Sequence, residues 1–374
     1  MENKSPLYNW HVDAKAKLAD FGGWDMPIEY PHFEVNGVTG GVIAEHTAVR
    51  ESVGLFDVSH LGKLEIKGPA AVDFLNTVIT NDLGRISNGS AQYTLLCDDN
   101  GGVIDDLIVY RKSDDDLFLV PNAANCAAVS DAIKRVAPDT ITVTNLHKSF
   151  GVIAIQGPRS GEVLSSLGLN LTLDYMEFTT TVIPKNENLG EVIICRTGYT
   201  GEFGYELIPT WDATVALWEL LVSAAKNFGG RVCGLGSRDT LRKEMGYPLH
   251  GHELSLSITP LEASASWAIS LAKASFHGKS ALEKQKSLGV SRRVKGLKSL
   301  DRGIPRAGMR VLDGDGNDVG EVTSGTFSPS LKCGIALALI KPDIGVGTHL
   351  QIDVRGRLSQ VEVTLPPFVP SHVR

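Results

Sequence analysis

Two adjacent carboxylates inside an apolar run are the first residues of this sequence that could do chemistry. Asp105 and Asp106 lie in residues 103–109, and the five remaining residues of this segment are all Val, Ile or Leu. Such a run predicts a strand, and neighbouring side chains on a strand point to opposite faces. One carboxylate should therefore face the core or a cavity. Because burying a carboxylate without a partner is costly, we expect it to be paired or to bind a ligand; a solvent-exposed turn carboxylate is the alternative.

A second group of reactive side chains lies in a glycine-rich segment, residues 197–206. Its three glycines allow tight turns and the close approach of a ligand. Glu206 lies in the strand predicted to follow, where its carboxylate could accept two hydrogen bonds from an amino-pyrimidinone edge. A plain glycine-rich turn without a ligand is the alternative.

Two arginines at helical spacing form the third group. Arg238 and Arg242 lie at the start of a predicted helix and can share one of its faces. Arg238 could pair with a buried carboxylate or with the carboxylate tail of a ligand. Surface ion pairs with Asp239 or Glu244 are the alternative.

The motifs of several other enzyme and metal-binding classes are missing. Residues 250–253, His-Gly-His-Glu, lack the His-Glu-x-x-His spacing of zinc proteases. Residues 313–324 begin like an EF-hand loop, but Asp318 replaces its glycine and Ser324 replaces its bidentate glutamate. The sequence contains neither a Walker phosphate loop nor a Gly-x-Ser-x-Gly elbow. We therefore expect no metal and no acyl-transfer chemistry.

The composition indicates a soluble protein with more than one domain. A chain of 374 residues exceeds one ordinary core and predicts two or three domains. Hydrophobic residues make up 43% and charged residues 21%, which argues against disorder. The net charge of -7 argues against a nucleic-acid partner.

The cysteines and the N-terminal residues predict a cytoplasmic location. The five cysteines are odd in number and far apart, and they contain no Cys-x-x-Cys pair, which is typical of reduced thiols. Residues 1–10 lack the apolar region of a signal peptide, and no apolar run reaches transmembrane length. We recognise no organellar transit peptide and expect no membrane partner.

The predicted strands place the paired carboxylates in an antiparallel sheet. Residues 92–111 form two apolar runs around an Asn-Gly turn, the pattern of a β-hairpin, and residues 117–120 predict a third strand. Residues 56–66 predict a single strand. Short strands and turns alternate through residues 294–365, the pattern of a compact all-β domain.

Residues 211–230 contain the strongest helical pattern. Val215, Trp218, Val222 and Ala225 recur at helical spacing and are predicted to form its buried face. Strands and helices do not alternate strictly, so the sequence predicts an α+β fold with antiparallel sheets and not a Rossmann fold.

Six blocks of the sequence, taken in order, resemble the aminomethyltransferase family, the T-proteins of the glycine cleavage system. The blocks are residues 21–30 (FGGWDMPIEY), 56–60 (FDVSH), 101–108 (GGVIDDLI), 198–206 (GYTGEFGYE), 234–242 (GLGSRDTLR) and 323–329 (TSGTFSP). Each block is modest on its own, but their common order and spacing make the resemblance specific over nearly the whole chain.

The resemblance implies a ring of three domains around a central folate-binding hole. The first domain is split between residues 1–55 and 150–270, and the second, an α+β unit, spans residues 56–149. The third spans residues 285–374 and is an all-β unit of β-barrel or jelly-roll type.

The resemblance also implies a reaction. A lipoylated H-protein presents an aminomethyl group on its dihydrolipoyl arm, and the methylene carbon is transferred to tetrahydrofolate. Ammonia is released and 5,10-methylenetetrahydrofolate forms. Tetrahydrofolate enters as the acceptor substrate, and no metal is required.

Two relatives with other functions remain alternatives. A folate-dependent sulfonium demethylase would share the folate contacts but would form methyltetrahydrofolate and no ammonia. A non-catalytic folate-binding relative carries a cysteine in a Lys-Gly-Cys loop, where this chain has Phe-His-Gly-Lys at residues 276–279.

The motif match assigns the catalytic carboxylate to Asp105. The side chains that it implies for folate binding are Glu206, Tyr199, Arg238, Trp267, Tyr93 and Asn122.

The chain departs from the family pattern in three places. Leu61 stands where many relatives have Met, a change with a small expected effect on packing. Pro121 precedes Asn122 and predicts a strand edge or bend there. Residues 371–374 replace the tyrosines at the end of some relatives, so an aromatic ligand contact is not transferred to them.

Overall fold

The structure is a computed structural model that describes residues 3–354 and 356–374. The strands in these ranges are β1 (Asn3–Lys4), β2 (Lys17–Phe21), β3 (Trp24–Glu29), β4 (Gly54–Asp57), β5 (Leu64–Lys67), β6 (Ser90–Cys97), β7 (Val103–Arg111), β8 (Asp116–Pro121), β9 (Thr142–Asn145), β10 (Ile153–Gln156), β11 (Phe178–Val182), β12 (Glu191–Cys195), β13 (Gly204–Ile208), β14 (Arg231–Cys233), β15 (Arg293–Ser299), β16 (Arg310–Leu312), β17 (Asp318–Ser328), β18 (Cys333–Ile340), β19 (His349–Val354) and β20 (Arg357–Thr364). The helices are α1 (Tyr8–Asp13), α2 (Val42–Glu51), α3 (Ala71–Asn76), α4 (Cys126–Lys134), α5 (Ser160–Ser166), α6 (Thr214–Lys226), α7 (Leu235–Met245) and α8 (Lys279–Leu288).

The strands form three sheets and a barrel. A small sheet has the order β1-β3-β2, a five-stranded sheet the order β6-β7-β8-β5-β9, and a six-stranded sheet the order β11-β12-β13-β10-β4-β14. The C-terminal strands close into a barrel in the order β15-β18-β17-β16-β19-β20. Neighbours pair antiparallel except for β1 with β3 and β14 with β4. The predicted α+β class, with antiparallel sheets and a C-terminal barrel, is confirmed.

The predicted single strand at residues 56–66 is wrong. The structure divides it into β4, which pairs with β10 in the six-stranded sheet, and β5, which pairs with β8 in the five-stranded sheet. Between them the chain turns, and Asp57 accepts a hydrogen bond from the backbone N–H of Ser59 over 2.9 Å. This local turn ends β4, and it carries the chain from one sheet to the other.

The predicted helix at residues 211–230 is present as the shorter α6. Trp218, Val222 and Ala225 are buried as predicted, but Val215 is 38% exposed. Leu217 and Leu221 complete the buried face. That face packs into the core of the six-stranded sheet, where α5 also packs. The buried face of α6 is therefore centred further from Val215 than the sequence spacing predicted, because packing against the sheet decides which side chains are buried.

The two larger sheets share a core that positions their ends. Phe56 of β4 and Ala154 of β10 pack in one buried cluster with Tyr110 of β7 and Phe118 of β8. Burial of such aromatic side chains supplies much of the packing free energy at an interface between sheets. This shared apolar cluster fixes the two sheets relative to each other. The polar residues at the ends of their strands are therefore held in place around the cavity described below.

Candidate active site

A cavity of about 670 Å³ lies where the two larger sheets meet α7. Tyr93 of β6 and Asp106 of β7 line it from the five-stranded sheet, and Glu206 of β13 lines it from the six-stranded sheet. Arg238 of α7 completes the wall. A cleft of this size, largely apolar with a few converging polar groups, is typical of a small-molecule site.

The strand register explains how the two carboxylates are displayed. Pairing between β7 and β8 ends at Leu107 opposite Pro121, so Asp105 and Asp106 extend beyond the end of β8. Strand alternation then separates them: Asp105 is fully buried, and the half-buried Asp106 faces the cavity. Asp105 thus lies behind the cavity wall, whereas the side chain of Asp106 lines the cavity.

The segment that follows β8 holds Asp105 in place. The backbone N–H of Asn122 donates to Asp105 Oδ2 over 2.8 Å, and its side-chain Nδ2 donates to Asp105 Oδ1 over 2.9 Å. Asn125 Nδ2 donates to the same Oδ1 over 2.7 Å. The bend predicted at Pro121 produces this geometry, because it brings the amide groups of Asn122 back against β7.

Asn122 and Tyr93 also orient the carboxylate in the cavity. Asn122 Nδ2 lies 2.9 Å from Asp106 Oδ1, and the Tyr93 hydroxyl donates to Asp106 Oδ2 over 3.1 Å. One amide therefore bridges both carboxylates. Both oxygens of Asp106 are fixed by hydrogen bonds from residues of the cavity wall.

The surroundings shift the proton affinity of both carboxylates. Burial raises the pKa of Asp105, and the neighbouring charge of Asp106 raises it further. Burial likewise raises the pKa of Asp106, against hydrogen bonding by Tyr93 and the charge of His250. Two close carboxylates disfavour a double negative charge. A carboxylate whose pKa is raised towards neutrality is better suited to receive a proton from a substrate.

Asp105→Asn is expected to weaken folding. The amide would place an N–H₂ group against donors from Asn122 and Asn125, leaving buried donors unpaired, and the free energy of unfolding should fall by about 1–3 kcal/mol. Urea denaturation measures this loss. Wild-type stability combined with lost turnover would contradict a positioning role and would support direct catalysis by Asp105.

Aromatic pairs form flat surfaces on the cavity wall. The rings of Tyr93 and Trp267 stack with centroids 5.0 Å apart, and those of Tyr199 and Tyr247 stack at 5.5 Å. Trp267 remains 64% exposed, and the Tyr199 hydroxyl donates to the carbonyl oxygen of Pro248. Such surfaces suit a planar ring system, which can lie against their faces.

Glu206 and Arg238 provide opposite charges in the same cavity. The Thr197 hydroxyl donates to Glu206 Oε2 over 2.6 Å. The Arg238 guanidinium lies 4.9 Å from the centroid of the Tyr199 ring. Burial lowers the pKa of Arg238, against the charge of Glu206. A carboxylate and a guanidinium on one wall can bind the donor and acceptor edges of a polar heterocycle.

Unpaired polar atoms indicate that the cavity suits a polar ligand. Among residues 3–354 and 356–374, the buried atoms Arg238 Nη1, His60 Nδ1 and Gln92 Oε1 have no hydrogen-bond partner in the protein, and all three residues line the cavity. Buried polar groups without a partner are costly. A ligand that supplies hydrogen bonds to these atoms would remove that cost.

The structure thus brings the six predicted folate-binding residues to one cavity. Glu206, Tyr199, Arg238, Trp267, Tyr93 and Asn122 all line it. The motif match assigned no role to Asp106, although the residue pattern had already placed it beside Asp105 as a candidate. It also missed Arg374, which lines the cavity with its guanidinium 5.6 Å from the Tyr175 ring centroid. No local pattern marks Arg374, because only the path of the C-terminal segment brings it there.

Neither a metal cluster nor a membrane span is found in the described part of the chain. There, no three His, Cys, Asp or Glu side chains are grouped so as to hold a metal ion. Within the same residues, no helix has both the length and the apolar character needed to cross a bilayer.

Comparisons with known proteins agree over nearly the whole chain. Residues 7–273 match the GCVT N-terminal domain family, and residues 292–370 match the glycine cleavage T-protein C-terminal barrel domain family. An aminomethyltransferase of Parafrankia sp. (strain EAN1pec) is 52% identical over 372 residues, 99% of each chain. One from Mycobacterium tuberculosis (strain ATCC 25618 / H37Rv) is 50% identical over 371 residues, 99% of this chain and 97% of that one.

A solved structure has the same fold. Glycine cleavage system aminomethyltransferase T from Bartonella henselae superposes with a TM-score of 0.90 and is 33% identical, with 100% of this chain and 99% of that chain covered. The predicted membership of this family is thereby confirmed by both sequence and structure. The chain therefore belongs to the aminomethyltransferase family, the T-proteins of the glycine cleavage system.

Proposed function

We propose that this protein transfers the methylene carbon of an aminomethyl group from the dihydrolipoyl arm of a lipoylated H-protein to tetrahydrofolate. The carbon–nitrogen and carbon–sulfur bonds of the donor break, and two bonds from the carbon to folate nitrogens form. The products are ammonia, the free dihydrolipoyl thiol and 5,10-methylenetetrahydrofolate. No oxidant or reductant is needed, because the carbon keeps its oxidation level.

One observation carries this proposal: Asp106 is held by Tyr93 and Asn122 at the wall of a cavity whose aromatic faces suit a flat ring. Such a fixed carboxylate can stabilise a cationic one-carbon centre without reorganising during the reaction. It can also accept the proton that a folate nitrogen loses when it bonds to carbon. We assign this direct role to Asp106 and a positioning role to the buried Asp105.

The other cavity residues would bind and orient the folate. Glu206 would accept hydrogen bonds from the amino-pyrimidinone edge of the pterin, and Arg238 would donate through its unpaired Nη1. Tyr199 would pack beside the pterin, and Trp267 and Tyr93 would line the path of the rings. Holding the nucleophilic nitrogen against the one-carbon donor lowers the barrier by removing most of the entropy cost of their encounter.

The donor is tested by offering two alternatives to the same protein with tetrahydrofolate. We expect aminomethyl-loaded H-protein to yield methylenetetrahydrofolate and ammonia. A sulfonium methyl donor should yield nothing. Formation of methyltetrahydrofolate from the sulfonium compound would instead support the demethylase alternative.

Glu206→Ala is expected to raise the Kd for tetrahydrofolate by roughly 10- to 100-fold, since hydrogen bonds to a charged group contribute about 1.5–3 kcal/mol. The melting temperature should change little, because the side chain is only half-buried. Glu191→Ala, an exposed position on the neighbouring β12, serves as the matched control. A wild-type Kd in Glu206→Ala would remove this residue from the folate site.

We further propose the domain division that the resemblance implies: residues 1–55 with 150–270, residues 56–149, and residues 285–374. The separate sheets and the barrel support it, because the five-stranded sheet is built only from strands within residues 64–145. We also propose that the protein works in the cytoplasm, with H-protein as its macromolecular partner and with neither nucleic acid nor membrane as a ligand.

A further inference from the structure

The His-Gly-His-Glu segment, residues 250–253, lacks the spacing of a zinc protease, but the structure places it at the cavity of about 670 Å³. His250 lines that cavity and is partly buried, whereas Gly251 and His252, which also line it, are exposed. Exposed residues of a cavity wall lie at its mouth. The imidazole of His250 therefore lies just inside a mouth of the cavity.

The loop that carries His250 is held in place by a buried carboxylate. Glu253 is fully buried, accepts from the backbone N–H of Leu249 over 3.0 Å and pairs with Arg242 of α7 at 3.1 Å. The backbone N–H of Glu253 donates in return to the carbonyl oxygen of Leu249 over 3.1 Å. Residues 249–253 are thus closed into a loop fixed to α7, and the ring of His250 extends from a fixed backbone.

The strand that carries the two carboxylates also orients the ring of His250. The Nε2 atom donates to the carbonyl oxygen of Val103 of β7 over 3.1 Å. Because this nitrogen keeps its hydrogen, Nδ1 is the nitrogen that can take up or give a proton. Val103 lies three residues before Asp106, about 10 Å along the strand. The imidazole and the Asp106 carboxylate therefore line the same cavity with space for a reacting group between them.

Charge links His250 to Asp106. Burial raises the pKa of Asp106, and the charge of His250 acts against that rise. A cationic imidazole and an ionised carboxylate in one cavity favour each other. The other titratable or charged side chains of the neighbouring wall are Tyr93 on β6, Tyr199 and Glu206 near β13, Arg238, Asp239 and Arg242 on α7, and Tyr247 and His252 in the loop itself.

The proposed reaction moves two protons, and one carboxylate accounts for only one end of this transfer. Each of the two folate nitrogens loses its hydrogen when it bonds to the methylene carbon. The donor gains two hydrogens, because its nitrogen leaves as ammonia and its sulfur as a thiol. Asp106 receives a proton from the folate, so a second group is needed to give a proton to the donor.

The sulfur of the donor is the atom that lies towards the mouth. It joins the transferred carbon to the arm of the carrier protein, and that arm has to enter through a mouth of the cavity. When the carbon–sulfur bond breaks, its electron pair stays on sulfur as a thiolate. An acid placed there converts the thiolate into a thiol as it forms, which favours bond breaking.

We propose that His250 is a second catalytic residue, which gives the proton of its Nδ1 to the dihydrolipoyl sulfur as the carbon–sulfur bond breaks. The inference rests on the proposed function. In the same step a folate nitrogen uses its lone pair to bond to the carbon and loses its proton to Asp106. Asp106 is then protonated and His250 is neutral, and exchange with water at the mouth returns both to their starting states.

His250→Gln tests this role, because the amide can keep the hydrogen bond to the Val103 carbonyl oxygen but cannot carry a proton. Turnover with aminomethyl-loaded H-protein and tetrahydrofolate should fall by about 10²-fold, the low end of the usual acid–base contribution, because a thiolate leaves readily. The loss should lie in kcat. The KM for H-protein, the Kd for tetrahydrofolate and the melting temperature should stay near their wild-type values.

The pH dependence of kcat separates proton transfer from a structural role. In wild type, kcat should fall at acid pH, where Asp106 becomes protonated, and at alkaline pH, where His250 loses its proton. In His250→Gln the alkaline fall should disappear. The acid fall should move to higher pH, because Asp106 loses a positive charge that lowers its pKa.

Free imidazole provides a second readout, and a matched histidine provides the control. Imidazole should restore about tenfold of the turnover lost in His250→Ala and none of that lost in Asp106→Asn. His147 is also partly buried, and its Nε2 donates to the carbonyl oxygen of His60 over 2.8 Å, but it does not line the cavity. His147→Gln should therefore keep wild-type turnover and the wild-type pH profile.

The possible failures are distinguishable. Absence of methylenetetrahydrofolate and ammonia with the wild-type protein would overturn the proposed function itself. With an active wild type, normal turnover in His250→Gln would overturn the role of His250 alone, and so would a loss that leaves the alkaline fall unchanged. A raised KM for H-protein at normal kcat would assign His250 to carrier binding and likewise overturn it. If His250→Gln folds poorly, the response of His250→Ala to imidazole decides, and no restoration overturns the inference.

Discussion

Asp106→Asn is expected to lower turnover by about 10²- to 10⁴-fold, the usual contribution of a positioned acid–base group. The amide keeps the shape of the side chain and can still accept a hydrogen bond from Tyr93. It cannot receive a proton, and it carries no charge to stabilise a cationic carbon. Steady-state turnover with aminomethyl-loaded H-protein measures the loss, and the Kd for tetrahydrofolate should stay near the wild-type value.

Asp105→Asn is the matched comparison for this prediction, because the two residues are chemically identical neighbours. We expect the Asp105 variant to lose mainly stability and the Asp106 variant to lose mainly turnover. Near-normal turnover in Asp106→Asn would contradict the proposed chemistry, whatever the behaviour of the Asp105 variant.

Glu244→Gln is expected to lower the free energy of unfolding by about 3 kcal/mol, the low end of the cost of breaking a buried ion pair. Glu244 is fully buried and accepts from Arg50 over 2.8 Å and from Ser330 Oγ over 2.9 Å. The Ser328 hydroxyl also donates to it. The loss should be at the low end because Arg50 keeps its second carboxylate, Glu202, at 2.9 Å.

This contact ties together parts of the chain that are distant in sequence. Arg50 belongs to α2, Glu244 to α7 and Ser328 to the end of β17 in the barrel. Arg50 also donates to the carbonyl oxygen of Thr200, the residue after Tyr199 in the cavity wall. Unfolding monitored by calorimetry should therefore show a lower melting temperature for the whole protein, and not for the barrel alone.

The same carboxylate predicts a pH dependence. Burial alone would raise the pKa of Glu244, but hydrogen bonding and charge from His46, with help from Ser328 and Arg50, lower it from 4.5 to about 2. A lowered pKa in the folded state adds stability above the ordinary pKa, and that stability is lost as pH falls through the folded value. The difference in unfolding free energy between wild type and Glu244→Gln should therefore shrink between about pH 4.5 and pH 2.

Glu283→Gln provides the control for both measurements. Glu283 pairs with Lys279 at 3.5 Å and its side chain is 50% exposed, so its loss should change stability very little. A Glu244→Gln protein as stable as this control, at neutral pH, would show that the buried contact contributes nothing to holding the barrel against α2 and α7.

The local sequence predicted the hairpin that carries the two carboxylates, because an Asn-Gly turn between apolar runs is a short-range signal. It also predicted that Asp105 and Asp106 face opposite sides. The local sequence could not tell which of the two side chains faces the cavity. The answer depends on where β8 ends and on how Asn122 folds back against β7, and both are set by contacts between residues that are distant in sequence. The motif match named Asp105, whereas the side chain that lines the cavity is that of Asp106.

The same limit applies to the cavity walls. Glu206 and Arg238 are far apart in sequence, and only the packing of α7 against the sheets brings them together. Trp267 lies in a short 3-10 turn with no distinguishing pattern, yet its ring stacks on Tyr93. Local patterns marked Glu206 and Arg238 as candidates one by one. Only the resemblance to a family pointed to Trp267, since it reflects position in a shared fold.

A crystal structure of this protein with tetrahydrofolate is the most direct test of the proposed function. The proposed function predicts density for the ligand in the cavity of about 670 Å³, with the amino-pyrimidinone edge against Glu206 and the folate nitrogens that receive the carbon close to Asp106. Ligand density at another site would contradict it, as would a reversed orientation that places the glutamate tail against Asp106.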